Sequence, residues 1–186
     1  MNTTVVILLV VLIVVVVGGL FYYYRRRRTE SLHRRFGPEY DRTVTQYGDQ
    51  QKAEAELERR AKRVSRFHIH GIPADERRRF ADAWQAQQAR FVDAPEQAVA
   101  EAHELVSELM RARGYPATAE FEQNADDLSV DHPHVVEHYR TACVIASRRE
   151  NGQANTEDLR AAMVHYRELF EDLLGRSVNE AEEVRP

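Results

Sequence analysis

The apolar positions of this chain are distributed unevenly. Val5 to Tyr24, VVILLVVLIVVVVGGLFYYY, is a run of twenty uncharged residues, and Arg25, Arg26, Arg27 and Arg28 follow it directly. A run of that length crosses the ~30 Å hydrocarbon core of a bilayer as one helix, so the pattern predicts a single transmembrane helix over 5–24. A secretory signal peptide would place its positive charge before the run and a small-residue cleavage site after it. Here only residues 1–4 precede it, and Tyr22, Tyr23, Tyr24 and the arginines follow, which suits an uncleaved anchor with an aromatic interfacial belt. The positive-inside rule then leaves residues 1–4 outside and the C-terminal domain cytoplasmic, at the cell (inner) membrane. Gly18 and Gly19 lack the four-residue spacing of a helix-pairing face.

Beyond a basic juxtamembrane segment, 25–37, the pattern turns amphipathic at helical spacing. Pro38 opens a short helix through Tyr40, Val44 and Tyr47 that Gly48 ends. Residues 49–66 read as a charged helix with a thin apolar line at Ala53, Leu57, Ala61 and Val64, so that 38–66 is a short helix plus a charged helix. Phe67 and Ile69 then alternate with His68 and His70, as in an extended connector over 67–72.

The region 73–175 repeats one grammar, a proline near each helix start with acidic residues beside it. Pro73, Asp75 and Glu76 open a helix with the aromatic stripe Phe80, Trp84 and Phe91. Pro95 and Glu96 open the next, with Val99, Val106, Leu109 and Met110 facing inward and Gly114 as the stop, and the short link makes the two an antiparallel hairpin. A shorter helix is expected over 118–128, carrying Phe121 and Leu128. Asp131 or His132 is the expected cap of a helix opened by Pro133, which buries Val135, Val136, Tyr139 and Cys143. Asn151-Gly152 turns the chain. Asn155 or Thr156 caps the last helix, whose inner face is Leu159, Met163, Tyr166, Phe170, Leu173 and Leu174 and whose stop is Gly175. An acidic tail, 176–186, follows. The expected architecture is all-α: a transmembrane helix, then a cytoplasmic bundle of about five to six helices.

Charge sharpens this picture. Residues 25–66 carry 13 basic and 7 acidic side chains, whereas 67–186 carry 13 and 23. The membrane-proximal part can therefore approach anionic headgroups through Arg25 to Arg28, and the acidic distal part argues against nucleic acid as a partner. Cys143 is the single cysteine and closes no intrachain disulfide. Its apolar surroundings, YRTACVIA, read as a buried structural thiol.

Candidate chemistry is sparse. His134 and His138 stand four apart on one expected helix, a spacing that puts two imidazoles on one face, with His132 close by and His165 or Asp127 as a further ligand supplied by folding. No HExxH motif accompanies them, and the plainer reading is capping and groove-edge histidines. His68 and His70 lie in the connector, and His103 and His165 flank apolar faces. Asp126, Asp127 and Asp131 could serve acid/base work, against a plainer role in capping and turns. No glycine-rich phosphate loop, nucleophile elbow or CxxC is present, so no cofactor is expected. The stripe of Phe80, Trp84 and Phe91 reads first as core and, if exposed, as a partner face.

The segments RFGPEYDRTV at 35–44, ERRRFADAWQAQQARFVDAP at 76–95, ADDLSVDHPHVVEHYR at 125–140 and TEDLRAAMVHYRELFEDLL at 156–174 resemble an uncharacterised family of bacterial membrane-anchored helical proteins. The resemblance covers most of residues 34–174 and implies no assigned reaction, cofactor or site. Ile72 stands before Pro73 where that family more often carries serine or another capping residue.

Two functions fit these features. The first is a membrane-tethered protein-interaction or scaffold module. The second is a membrane-bound enzyme or a ligand or metal sensor with a site near His134, His138 and Asp131. A deep pocket gathering those residues favours the second, and exposed apolar surface on the bundle favours the first.

Overall fold

The computed structural model describes residues 3–175; residues 1–2, the tail 176–186 and the side chains at 3–11 and 14 lie outside the described set. Among the described residues the chain is all-helical, with eight helices and no strand: α1 (Thr3–Phe36), α2 (Pro38–Tyr47), α3 (Gln50–Val64), α4 (Ala74–Arg90), α5 (Pro95–Ala112), α6 (Phe121–Asp131), α7 (Val136–Glu150) and α8 (Thr156–Leu174). They fall into two compact units, Met1–Glu58 and Arg59–Pro186.

In the first unit α1 runs through the arginines without a break, so the basic segment is helical over 25–36. Helix-compatible residues and the i,i+4 pair Arg26–Glu30 at 3.0 Å carry it across this stretch. Leu32 and Phe36 at its end are buried with Tyr40 of α2 and with Ala53 and Leu57 of α3. Gly37, at φ 45°, ends α1, and Pro38 begins α2. No helix among the described residues is long and apolar enough to cross a membrane. The expected span over 5–24 includes residues 5–11 and 14, whose side chains lie outside the described set.

The second unit is built around α8, which packs against α5 and α7; α4 lies on α5 and α6 on α7. All six residues expected on the inner face of α8 are buried. Asn155 caps this helix through a reciprocal box, its side chain accepting from the Asp158 amide while the Asp158 carboxylate accepts from the Asn155 amide. At the other end Gly175, at φ 82°, provides the left-handed stop. Ile72 is buried in the core, so this position contributes packing to the start of α4 instead of a side-chain cap.

The connector 67–72 is non-helical, with Phe67 and Ile69 packed on the core while His68 and His70 are exposed. Its His70 amide donates to the carbonyl of Arg113 at 3.0 Å. Gly114 lies beside it at φ 95°, and a Cβ there would sit 2.3 Å from the His68 carbonyl oxygen. Both its backbone geometry and the close approach of a second chain segment require glycine at this position.

The start of α7 differs from expectation. Pro133 does not open the helix, and neither Asp131 nor His132 caps it. The His132 carbonyl accepts from the amides of both Val135 and Val136, which folds 132–135 into a turn and delays the helix to Val136. The side chains of Asp131 and His132 are engaged elsewhere.

Candidate functional site

The α6–α7 turn and the end of α8 enclose a cleft of about 210 Å³ lined by Arg113, Asp131, His132, Pro133, His134, Val135, Asp172 and Gly175. His132 Nδ1 meets the Asp172 carboxylate. When the imidazole is neutral, an Nδ1–H donated to that carboxylate leaves Nε2 as the acceptor. Only 9% of the His132 side chain is exposed, and its Nε2 is buried without a hydrogen-bond partner among the described residues. Asp131 accepts from the Tyr115 hydroxyl at 3.0 Å, and burial followed by the Asp131 charge pushes the Tyr115 phenol well above its usual range. Arg113 donates to the Leu173 carbonyl at 2.7 Å, satisfying one of the open acceptors at the end of α8. The cleft therefore holds a carboxylate–imidazole pair with a second carboxylate and a second imidazole beside it.

His134 belongs to this cleft and His138 does not. His134 lies in the turn ahead of α7, so the four-residue spacing does not place both rings on one helical face. Instead His138 meets His165 of α8, Nδ1 to Nδ1, at 2.8 Å. Burial, then the neighbouring His138, lowers the pKa of His165. Among the described residues no three His, Cys, Asp or Glu side chains are grouped to hold a metal ion.

Asp126 and Asp127 neither cap a helix nor form an acid/base pair. They sit within α6 and engage arginines: Arg60 Nη2 lies 2.9 Å from Asp126, and Arg63 contacts Asp127 Oδ1 at 2.6 Å through both Nε and Nη2. Arg140 of α7 approaches Asp126 at 3.9 Å and Glu137 at 3.5 Å. Arg60, Asp127 and Arg140 are buried, so this cluster fastens the end of α3 to α6 and α7.

Phe80 and Trp84 are core residues, 2% and 5% exposed, and Trp84 stacks on Phe170 at 4.8 Å between ring centroids. Only Phe91 is partly open, where the Arg160 guanidinium lies 5.9 Å from its ring centroid. Phe80 and Trp84 therefore present almost no surface to a partner.

Within the run Arg25 to Arg28, Arg26 pairs with Glu30, Arg27 lies over the Tyr23 ring, and Arg28 donates to Glu58 at 2.7 Å. Sequence reasoning missed the buried carboxylate behind them. Glu54 accepts from Thr29 at 2.7 Å, Gln50 at 2.9 Å and Tyr40 at 3.0 Å. Burial pushes this carboxyl up, but those three donors and the Arg28 charge outweigh it and hold its pKa below the ordinary value.

A larger cleft, about 430 Å³, lies beside α5 and α7 and reaches His103, Phe121, Cys143 and Glu150. Two of its lining residues belong to a polar seam: His103 Nδ1 lies 3.0 Å from the Tyr166 hydroxyl, Cys143 engages Tyr139 and Tyr166, and Tyr139 accepts from Asn124 at 3.3 Å. Burial pushes the Cys143 thiol up to about 11, against the two tyrosine contacts, which leaves a structural thiol rather than a nucleophile. Burial also lowers the pKa of His103.

No family model, curated protein or solved structure matches this chain.

Proposed function

We propose that the chain is a single-pass membrane protein of bacterial type whose helical part serves as a protein-interaction or scaffold module on the cytoplasmic side of the cell membrane. The observation that carries this reading is the bare apolar surface of α1. Its large apolar side chains described between Leu12 and Tyr24 are each 49–69% exposed, and they cover every side of the helix. Burying such a side chain is worth about 1.5 to 3 kcal/mol, a gain that lipid supplies and the protein's own packing does not. Arg25 to Arg28 close this surface on one side, where they meet anionic headgroups and set the orientation. On the bundle, Val92, Val144 and Val164 are exposed, whereas the clefts are modest, which favours contact with another protein over a deep reaction pocket.

A second reading has its own observation. Asp131 and His134 share a cleft with the His132–Asp172 pair, an arrangement suited to a small ligand bearing hydrogen-bond donors or positive charge.

The test has two parts. A C-terminal reporter in the full chain should remain on the cytoplasmic side and resist alkaline extraction from membranes, and changing Arg25 to Arg28 to serine should weaken or invert that orientation. Extraction of the unaltered chain with peripheral proteins would end the anchor reading. Crosslinking in native membranes, with residues 1–35 alone as control, should capture a neighbour through residues 73–174. No capture above that control moves the assignment to the ligand cleft.

A further inference from the structure

We propose that His138 and His165 form a binding site for one borderline divalent transition ion, of the Cu²⁺ or Zn²⁺ class. Their Nδ1 atoms face each other at 2.8 Å across the α7–α8 interface. One ion bound to two imidazoles at about 2.0–2.1 Å each holds the two nitrogens about 3 Å apart, so a shift of a few tenths of an ångström admits it.

The backbone positions that present these rings are fixed. His138 precedes Tyr139 and His165 precedes Tyr166, and both tyrosines are fully buried on α7 and α8, which share the most extensive helix–helix contact in the chain. Ligands held on packed helices need little reorganisation to bind. Within this contact one ring donates and the other accepts. Two imidazole nitrogens with no thiolate and no cage of oxygens select copper, nickel or zinc over magnesium or calcium, and the general affinity order puts Cu²⁺ ahead of Zn²⁺. The remaining coordination positions fall to water or to a side chain from a binding partner. The site is separate from the His134 cleft and does not depend on the membrane reading.

The full chain, purified in detergent without a histidine tag, is titrated with CuCl₂, ZnCl₂ and MgCl₂ by equilibrium dialysis and calorimetry. Saturable binding of Cu²⁺ and weaker binding of Zn²⁺ are expected, with no Mg²⁺ bound at the same site. His138→Gln and His165→Gln should each lower Cu²⁺ affinity by more than about tenfold, and His134→Gln should leave it unchanged. Because an altered interface could unfold, imidazole ¹⁵N spectra of the unaltered protein supply a second readout. Zn²⁺ should shift the Nδ1 signals of His138 and His165 together. Binding that survives His165→Gln, or imidazole signals of this pair that ignore saturating Zn²⁺, overturns the proposal and leaves a plain N–H···N contact.

Discussion

Arg63 reaches Asp127 through two nitrogens, Nε and Nη2, each 2.6 Å from the same carboxylate oxygen, although 64 positions separate the residues in the chain. Asp127 is buried and Arg63 is 22% exposed, so removing the carboxylate costs up to about 3 to 5 kcal/mol, the range for breaking a fully buried pair. Asp127→Ala should therefore lower the urea midpoint of the helical bundle markedly. Replacing both residues, Arg63→Met with Asp127→Leu, should restore most of the loss, because no charge then remains to be desolvated. Equal damage from the single and double changes would mean that the carboxylate has some further structural role.

Gly114→Ala should cost about 1 to 3 kcal/mol from its left-handed backbone alone. The close approach of the His68 carbonyl adds to this. Thermal unfolding followed by circular dichroism tests it, with Gly152→Ala as the comparison. Gly152 also has positive φ, at 66°, but nothing lies near its missing Cβ, so its loss should be the smaller of the two.

Trp84→Ala should destabilise the bundle by about 3 to 5 kcal/mol, as expected for a large aromatic removed from a core. Near-ultraviolet circular dichroism of the variant should lose its fine structure. Val92→Ser, at a side chain 84% exposed, should be close to neutral. The opposite ranking would contradict the placement of the aromatic stripe inside the core.

The pH dependence follows from the sign of two shifts. His103 titrates below its ordinary value of 6.5 in the fold because burial disfavours its charged form, so the unfolded chain binds the proton more readily. Its contribution to stability is complete above about pH 6.5 and is lost as the pH falls toward its folded pKa. Glu54, also held below its ordinary value, favours the fold above about pH 4.5 and loses that contribution on further acidification. Urea midpoints measured from pH 8 to pH 3 should fall in two stages. His103→Gln should reduce the first, which the likewise depressed His165 shares, and Glu54→Gln should flatten the second.

Cys143 should resist alkylation by iodoacetamide at pH 8 in the folded chain and react on addition of denaturant. Burial both raises its pKa to about 11 and blocks access. Mass spectrometry of the carbamidomethyl adduct gives the measurement. Rapid labelling of the native protein would mean that the seam between Tyr139 and Tyr166 opens readily.

The helices were readable because their signals are local. Pro95 and Gly114 bracket α5, and Asn155, Asp158 and Gly175 bracket α8, each through chemistry within a few residues of the end it sets. The candidate sites were far less readable. His138 and His165 lie 27 positions apart and meet only through the register of α7 on α8, which no single helix encodes. The four-residue spacing of His134 and His138 spans a turn that is not helical, so it does not bring their rings together. Asp127 reads as a capping or turn residue and Arg60 as one charge in a charged helix, since charge pattern alone does not show which ion pairs neighbouring helices close over.

Helix α1 continues for 34 residues with no proline and no loop between Thr3 and Phe36, a shaft about 51 Å long. A turn of its N-terminal end about the long axis is therefore delivered as torque to Leu32 and Phe36, where the buried packing of the first unit must yield or rotate with it. Gly18-Gly19 is its softest coupling, with open space around both residues, and stiffening that pair with alanine would make the shaft a better transmitter of twist.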